Sequence, residues 1–143
     1  MSHTEKIWWL EENELGGMPK PPIESIPDLK KEGLGAVASF LEGKDNLEEY
    51  ERNGLKCFWS AIEDDEAPSL NQVKDFVKFV DEMKSEGLAL AVHCKGGNGR
   101  AGTMLAAYYI SKGQGVQEVL SFMRKINPRA VATKTQEDFL NSL

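Results

Sequence analysis

The chain has 143 residues, 41% of them hydrophobic, and a formal net charge of −6. This length predicts one domain, residues 1–143, with a packed core. The acidic balance argues against nucleic acid and anionic membranes as partners, since both require a basic surface. Because no apolar run could span a membrane and Met1–Lys6 is polar, unlike a secretory signal, we expect a cytoplasmic protein. We also expect a monomer.

The first part of the chain is predicted to alternate strands with short helices. In chain order we expect a strand at Ile7–Leu10, a rigid connector at Gly16–Pro22, a short helix at Ile23–Lys31, a buried strand at Gly35–Leu41, and a polar loop with a short helix at Glu42–Gly54.

The second part predicts longer helices. An apolar run, Leu55–Ile62, leads into an acidic loop, and Ser69 caps a helix over Leu70–Ser85; then come a buried strand at Leu88–Val92 and helices at Ala101–Ile110, Val116–Ile126 and Thr133–Leu140. Strands that alternate with helices favour an α/β fold. We therefore expect a mostly parallel sheet of four to five strands with helices on both faces.

The segment His93–Arg100 joins a predicted buried strand to a predicted helix and contains three glycines. Glycines let the backbone curl tightly, and the free N–H groups and dipole of a helix N-terminus attract anions. The same field favours the thiolate form of a cysteine, so Cys94 is a candidate nucleophile. Arg100 offers a planar fork of donors that matches two phosphoryl oxygens. The segment therefore predicts an anion-binding loop with a reactive sulfur.

This pattern, His-Cys followed by five residues and Arg, resembles the signature of the cysteine-dependent protein phosphatases, specifically the compact archaeal-type and atypical members of the dual-specificity branch. Three further segments resemble that family in the same order: Phe40–Glu42, Ile62–Asp64 with Ala67–Ser69, and Pro128–Val131 with Thr133 and Gln136. The resemblance implies hydrolysis of phosphorylated proteins through a cysteinyl-phosphate intermediate, without metal or cofactor.

The resemblance also implies roles for individual residues. Cys94, Arg100 and Asp64 are the expected catalytic residues, and the expected substrate-binding residues are Lys95, Gly96, Gly97, Asn98, Gly99 and Arg100. His93 is expected to support the loop by a hydrogen bond to the backbone near Cys94, since neighbouring strand residues point to opposite faces. Gln136 is expected to orient water by resemblance only, and an exposed polar position on a helix is equally compatible with the sequence.

Asp64 is the candidate general acid because it follows an apolar run 30 residues before Cys94, and Pro68 stiffens the end of its loop. Asp65 is a weaker candidate. The whole acidic run, Glu63–Glu66, is also compatible with a solvated turn that places negative charge at the start of a helix.

Two cysteine features bear on activity. At Ala101 the sequence departs from the family, which usually has a Ser or Thr that donates a hydrogen bond to the sulfur; its absence predicts slower hydrolysis of the intermediate. Thr103 lies on a different helix face and is not a substitute. Two cysteines are too few for a disulfide scaffold. A regulatory Cys57–Cys94 disulfide is an alternative, but the sequence favours Cys57 as a buried apolar residue.

Other functions were weighed against this one. The glycines at 97, 99 and 102 also fit a dinucleotide-binding fingerprint, but the acid at the matching distance, Glu118, falls within a predicted helix. Zinc binding is disfavoured, because the chain has only two cysteines and two histidines. A phosphoinositide or small-molecule phosphatase, and a phosphopeptide-binding module with weak turnover, are retained as alternatives.

Overall fold

One sheet of five strands lies at the centre of the molecule, for which the computed structural model describes residues 2–143. The strands are β1 (Trp8–Glu11), β2 (Leu15–Met18), β3 (Leu34–Ser39), β4 (Lys56–Trp59) and β5 (Ala89–His93), in the spatial order β1-β2-β5-β3-β4. Only the edge pair β1 and β2 is antiparallel among these strands; the other neighbours are parallel. This confirms the predicted α/β fold with a mostly parallel sheet.

Six α-helices cover the sheet. They are α1 (Ile26–Lys31), α2 (Leu47–Arg52), α3 (Leu70–Ser85), α4 (Arg100–Ser111), α5 (Val116–Ile126) and α6 (Lys134–Asn141), and short 3₁₀ turns lie at His3–Lys6 and Ile23–Ser25. Across residues 2–143, no helix has the length and apolar character needed to cross a membrane.

The helices lie on both faces because alternate strand residues point to opposite sides of the sheet. Val37 and Ala91 pack in one apolar cluster with Tyr50 of α2. Ala38 and Val92, one position further along the same strands, pack in a second cluster with residues of α3, α4, α5 and α6. The sheet is therefore buried on both faces, as a parallel sheet requires.

The longest helix begins and ends as the sequence predicted. The Ser69 hydroxyl accepts from Gln72 N, and the Gln72 side chain accepts in return from Ser69 N, at 3.1 and 2.9 Å. This reciprocal cap supplies partners for N–H groups that the helix itself leaves free. The cap is local, which is why it was readable from the sequence.

The prediction of a rigid connector over Gly16–Pro22 was wrong in its first half, because Leu15–Met18 forms the buried strand β2. Two glycines obscure the strand pattern. A Cβ at Gly17 would lie 2.3 Å from the Trp8 ring, so the indole occupies the space that a side chain would need. The surface of this strand is therefore covered by a side chain of the neighbouring strand, and the residues of β2 alone do not reveal that packing.

The parallel strands end at the same edge of the sheet, where functional sites of α/β proteins usually lie. Met18 at the end of β2 and Ser39 at the end of β3 are both in register with His93 at the end of β5. The chain then passes from β5 through the loop Cys94–Arg100, here called the phosphate loop, into α4. That loop lies at the centre of the edge.

Candidate active site

The backbone carbonyls of the phosphate loop are held by the surrounding scaffold. Lys95 O accepts from Lys20 N at 3.0 Å, Gly97 O from the Trp8 indole at 3.1 Å, Asn98 O from Val131 N at 3.1 Å, and Gly99 O from Thr103 N at 2.9 Å. The anchors come from the sheet edge, from α4 and from the turn after α5. They fix the orientation of the peptide units that they hold.

The N–H groups of the same loop have no such partners. Within residues 2–143, none of the six from Lys95 to Arg100 donates a hydrogen bond. Six consecutive free donors at the N-terminus of a twelve-residue helix form an anion site, to which the helix dipole adds positive potential. The loop therefore has the free donors that the predicted anion site requires.

Gly97 is required by the shape of the loop. Its φ is +82°, and a Cβ there would lie 2.3 Å from the carbonyl oxygen of Met18. Both the backbone angle and the contact exclude a side chain. The loop can therefore sit against the end of β2 only with glycine at this position.

Cys94 lies at the floor of a cavity of about 370 Å³ with 3% of its surface exposed. The cavity is lined by Asp64, Asp65, Cys94, Lys95, Gly96, Asn98, Gly99, Arg100, Ala132 and Gln136. The structure thus brings most of the sequence-predicted site residues to one place. Of the others, His93 lies beneath the loop, and Gly97 is buried within the loop and does not line the cavity.

The Arg100 side chain is almost fully buried and is held at the wall of this cavity. Its Nη1 donates to Ile62 O at 2.9 Å and lies 3.3 Å from Glu42 Oε1, while Nη2 lies 3.5 Å from Asp64 Oδ1. The guanidinium therefore connects the phosphate loop to the segment Glu63–Pro68, here called the acid loop. Asp64 is the member of the acidic run that pairs with it.

The acid loop is docked on the start of α6. Thr133 Oγ1 donates to Asp65 O at 2.9 Å, and Gln136 Nε2 donates to Glu66 O at 3.2 Å. Gln136 also accepts from the N–H groups of Ala132 and Thr133 and is only 1% exposed. The alternative of an exposed polar helix position for Gln136 is therefore wrong, because this side chain caps the helix and clamps the acid loop.

His93 lies on the opposite face of β5 from Cys94 and is fully buried. Its Nδ1 lies 3.0 Å from Cys94 O and its Nε2 lies 2.8 Å from the Tyr50 hydroxyl. A carbonyl only accepts, so Nδ1 carries the proton and Nε2 accepts from Tyr50. Burial lowers the pKa of His93 to about 4, despite the opposing hydrogen bond to Cys94 O, and raises that of Tyr50. A neutral imidazole thus holds the base of the loop.

Two predicted substrate-binding residues contribute differently. The Asn98 side chain accepts from Asn127 Nδ2 at 2.9 Å, so it binds the turn after α5 and leaves its backbone N–H for a ligand. Lys95 is exposed at the rim of the cavity.

Sequence reasoning missed Glu42, Tyr50 and Trp8 as parts of the site. Glu42 contacts Arg100, Tyr50 contacts His93, and Trp8 holds a loop carbonyl. A positional signal existed for Glu42, since it follows the end of a strand next to β5. Tyr50 and Trp8 come from distant elements that carry no local signal.

The structure disfavours a Cys57–Cys94 disulfide. Both thiols are free, and they pack in the clusters on opposite faces of the sheet. Strand β3 lies between β4 and β5, so the two backbones are about 10 Å apart, beyond the reach of a disulfide. Burial raises the pKa of Cys57, in keeping with a packing role.

No set of three or more His, Cys, Asp or Glu side chains in residues 2–143 is grouped so that it could hold a metal ion. The side chains that line the cavity supply one sulfur, one guanidinium, one ammonium, two carboxylates and two amides.

Comparison with known proteins agrees with this arrangement. Residues 14–114, more than half of the chain, match the family model described as "Tc-R-P: Polymorphic toxin system, DSP-PTPase phosphatase". The crystal structure of Tk-PTP in the active form superposes with a TM-score of 0.88 at 27% identity and covers 96% of this chain and 95% of that one.

Two curated relatives are much longer than this chain. The tyrosine-protein phosphatase CDC14 homolog of Schizosaccharomyces pombe is 35% identical over 88 residues, which are 61% of this chain and 16% of the relative. The phosphatidylglycerophosphate phosphatase PTPMT1 of Arabidopsis thaliana is 28% identical over 141 residues, 93% of this chain and 41% of the relative. The chain thus spans less than half of either relative. From the family match, the fold and the loop, the chain belongs to the compact archaeal-type, dual-specificity branch of the cysteine-dependent protein-tyrosine phosphatases.

Proposed function

We propose that the chain hydrolyses phosphomonoesters of tyrosine, and of serine and threonine, in proteins through a cysteinyl-phosphate intermediate. The observation that carries the proposal is the phosphate loop, whose six N–H groups from Lys95 to Arg100 have no partner within residues 2–143 and whose residues, apart from Gly97, line the cavity with Cys94 at its floor. Such a loop suits a tetrahedral dianion, and the sulfur at the floor lies below the bound group, from where it can attack the phosphorus.

In the first step the Cys94 thiolate attacks phosphorus, and the sulfur–phosphorus bond forms as the bond to the leaving oxygen breaks. Asp64 donates its proton to that oxygen, which leaves as a neutral alcohol or phenol. The loop N–H groups and Arg100 stabilise the charge on the three remaining oxygens. In the free protein Arg100 Nη2 lies 3.5 Å from Asp64 Oδ1. An entering phosphoryl group would replace the Asp64 carboxylate as the partner of this guanidinium.

In the second step water attacks the cysteinyl phosphate. Asp64, now a carboxylate, accepts the water proton; the sulfur–phosphorus bond breaks, the thiolate is restored and inorganic phosphate leaves. Gln136 lines the cavity and uses one Nε2 hydrogen for Glu66 O, which leaves the other for the attacking water. The step needs no oxidant or cofactor.

The walls of the site bear on the proposed substrate class. The cavity has a volume of about 370 Å³, and its walls are formed by the phosphate loop, the acid loop and the start of α6. We take it to admit both short and long phosphorylated side chains, and aryl phosphates need least help from the acid. Relatives named as tyrosine-protein phosphatases support protein substrates.

A lipid or small-molecule phosphate is the second candidate. The Arabidopsis relative named phosphatidylglycerophosphate phosphatase aligns with 93% of this chain, more of it than the CDC14 homolog does. Lys95 at the rim adds one exposed cation to such a site, while Asn98 is occupied by Asn127.

The test compares para-nitrophenyl phosphate, peptides with phosphotyrosine, phosphoserine or phosphothreonine, and phosphatidylglycerophosphate. We expect turnover of the aryl phosphate and the peptides, with loss of activity in Cys94→Ser. Phosphate release by Cys94→Ser, or binding of phosphopeptides by the wild type without turnover, would contradict the enzyme proposal. Faster turnover of the lipid than of every peptide would favour the second candidate.

A matched pair tests the acid. Asp64→Asn should lower kcat on phosphoserine peptides by about 100-fold or more and remove the basic limb of the pH–rate profile. Asp65→Asn is the control, because Asn tolerates the positive φ of 67° at that position and removes the same charge. An equal loss in both variants, or a larger loss in Asp65→Asn, would move the acid role away from Asp64.

A further inference from the structure

A groove of about 420 Å³ adjoins the catalytic cavity and shares Gly96 and Asn98 with it. Its lining is completed by Lys6, Trp8, Pro19, Ile126, Asn127 and Arg129. We call it the basic groove, because two of its residues are cationic and none is acidic. Ile126, 41% exposed, gives it an apolar wall.

The cations around the basic groove are available to a ligand. Lys6 and Arg129 in the groove, and Lys95 at the adjoining rim, are all exposed, and none forms a salt bridge within residues 2–143. Nine of the 17 basic residues form no salt bridge within residues 2–143, and these three are set apart by lying together beside the catalytic cavity. Unpaired cations grouped beside a reaction centre attract anionic substrate groups.

The charge on the acid-loop side of the cavity has the opposite sign. Asp64 and Asp65 line the cavity there, and Glu42 contacts Arg100. A substrate segment that crosses the site thus meets carboxylates on one side and cations in the basic groove on the other. This asymmetry favours substrates with an anionic group on one side of the phosphorylated residue.

The turn that carries Arg129 is fixed to the phosphate loop. Asn98 accepts from Asn127 Nδ2 at 2.9 Å and from Val131 N at 3.1 Å, and Arg129 N donates to Asn127 Oδ1 at 3.1 Å. Val131 is held at a φ of +63°, which is costly for a β-branched residue. The backbone of Arg129 is therefore preorganised relative to the loop, which lowers the ordering cost of binding.

We propose that the basic groove is a substrate subsite that binds an anionic side chain, a carboxylate or a second phosphate, near the phosphorylated residue of a peptide. The proposal rests on the proposed function and adds its substrate preference. The two cavities adjoin and share Gly96 and Asn98, and an extended peptide advances about 3.3–3.6 Å per residue. The anion is therefore expected about two positions from the phosphorylated residue.

The experiment measures kcat/KM for phosphotyrosine peptides of equal length with Glu, Ala, Lys or phosphoserine two positions before or after the phosphotyrosine. We expect the wild type to prefer Glu over Ala by about 2- to 5-fold on one side, as for a partly exposed charge pair, and to lose this preference at high salt. A stronger preference for phosphoserine than for Glu would identify a second phosphate as the occupant.

Charge-reversal variants locate the effect. Arg129→Glu and, separately, Lys6→Glu should abolish or reverse the preference for Glu over Lys peptides. Lys78→Glu is the matched control, because Lys78 is exposed on α3, lines neither cavity and changes the net charge equally. The control should keep the wild-type preference.

The outcomes separate this proposal from the proposed function. No turnover of para-nitrophenyl phosphate or of any peptide would overturn the proposed phosphatase function. Turnover of all peptides at equal rates, or an equal change of the preference in Arg129→Glu and Lys78→Glu, would overturn the subsite and leave the proposed phosphatase function intact. Inositol phosphates hydrolysed faster than every peptide, with Arg129→Glu removing that advantage, would reassign the groove to a lipid headgroup and overturn the peptide assignment.

Discussion

Burial of neutral His93 should make the protein lose stability in mild acid. The imidazole is fully buried, with its Nδ1 bound to Cys94 O and its Nε2 bound to the Tyr50 hydroxyl. Protonation would place a charge in this site and replace the acceptor Nε2 with a donor that faces a hydroxyl. The folded state therefore resists a proton that the unfolded chain accepts.

The size of the effect follows from the two pKa values. Burial lowers the pKa of His93 from 6.5 to about 4 in the folded state. Because the folded pKa lies below the unfolded one, the unfolded state binds more protons between these values, and the free energy of unfolding falls as the pH is lowered from about 6.5 to about 4. Linkage gives a loss on the order of 2.5 kcal/mol between pH 7.5 and pH 4.5 from this residue.

The perturbation that isolates this contribution is His93→Asn, which keeps an N–H donor for Cys94 O and does not titrate. The variant should be about 1–2 kcal/mol less stable at pH 7.5, because Tyr50 loses its acceptor. Between pH 7.5 and pH 4.5 the free energy of unfolding of the wild type should fall by about 2.5 kcal/mol more than that of the variant. His3, whose pKa burial also lowers, is present in both proteins and cancels.

Urea unfolding at pH 7.5, 6.5, 5.5 and 4.5 measures both slopes. An independent check is NMR titration, which is simple because the chain has two histidines. The signal that disappears in His93→Asn belongs to His93 and should not titrate above pH 5. Equal slopes for the two proteins, or a His93 midpoint near 6.5, would refute the argument that the site holds a neutral imidazole.

Three further substitutions test the loop. Gly97→Ala should lower the free energy of unfolding, measured in urea, by more than about 2 kcal/mol, because the new Cβ meets both a positive φ and the carbonyl of Met18. Gly113→Ala is the control, since Gly113 has a φ of +98° but open space around it, and should show the backbone cost alone. An equal loss in both variants would show that the Met18 contact contributes nothing. Glu42→Gln should strengthen competitive inhibition by inorganic phosphate about 2- to 5-fold, since a carboxylate 3.3 Å from the guanidinium competes with it; unchanged inhibition would contradict this. Ala101→Ser adds a hydroxyl at a fully buried position, where it can donate a hydrogen bond to the leaving sulfur. The variant should show a smaller pre-steady-state burst and a kcat raised by up to about tenfold. A lower kcat would contradict this role of the hydroxyl.

The central part of the site could be predicted because its information is local. A buried strand, a glycine-rich turn and a helix, which follow one another in the chain, place Cys94 and Arg100 around one concavity. The long helix Leu70–Ser85 was predicted to the residue for a similar reason, since its cap at Ser69 and its apolar spacing lie within a few positions of each other. Features that depend on residues so close in the sequence can be predicted without knowing the fold.

The contacts that complete the site could not be predicted because they join distant parts of the chain. Tyr50 and His93 are 43 positions apart, and Gln136 and Glu66 are 70 apart. The sequence showed Gln136 only as a polar residue in an amphipathic helix, which is equally typical of an exposed position. Its burial depends on the acid loop docking against α6, and that requires the packed structure.

Distant contacts of the phosphate loop explain how an acidic chain with a net charge of −6 can present an anion site. Each peptide unit of the phosphate loop can present either its N–H or its carbonyl oxygen to a ligand, and an oxygen there would repel phosphate. Trp8, Lys20 and Val131 hold three of the carbonyls outwards, and each comes from a different segment of the chain. The loop sequence supplies the donors, but the scaffold decides their direction. Loss of one anchor should therefore weaken phosphate binding while Cys94 and Arg100 stay in place.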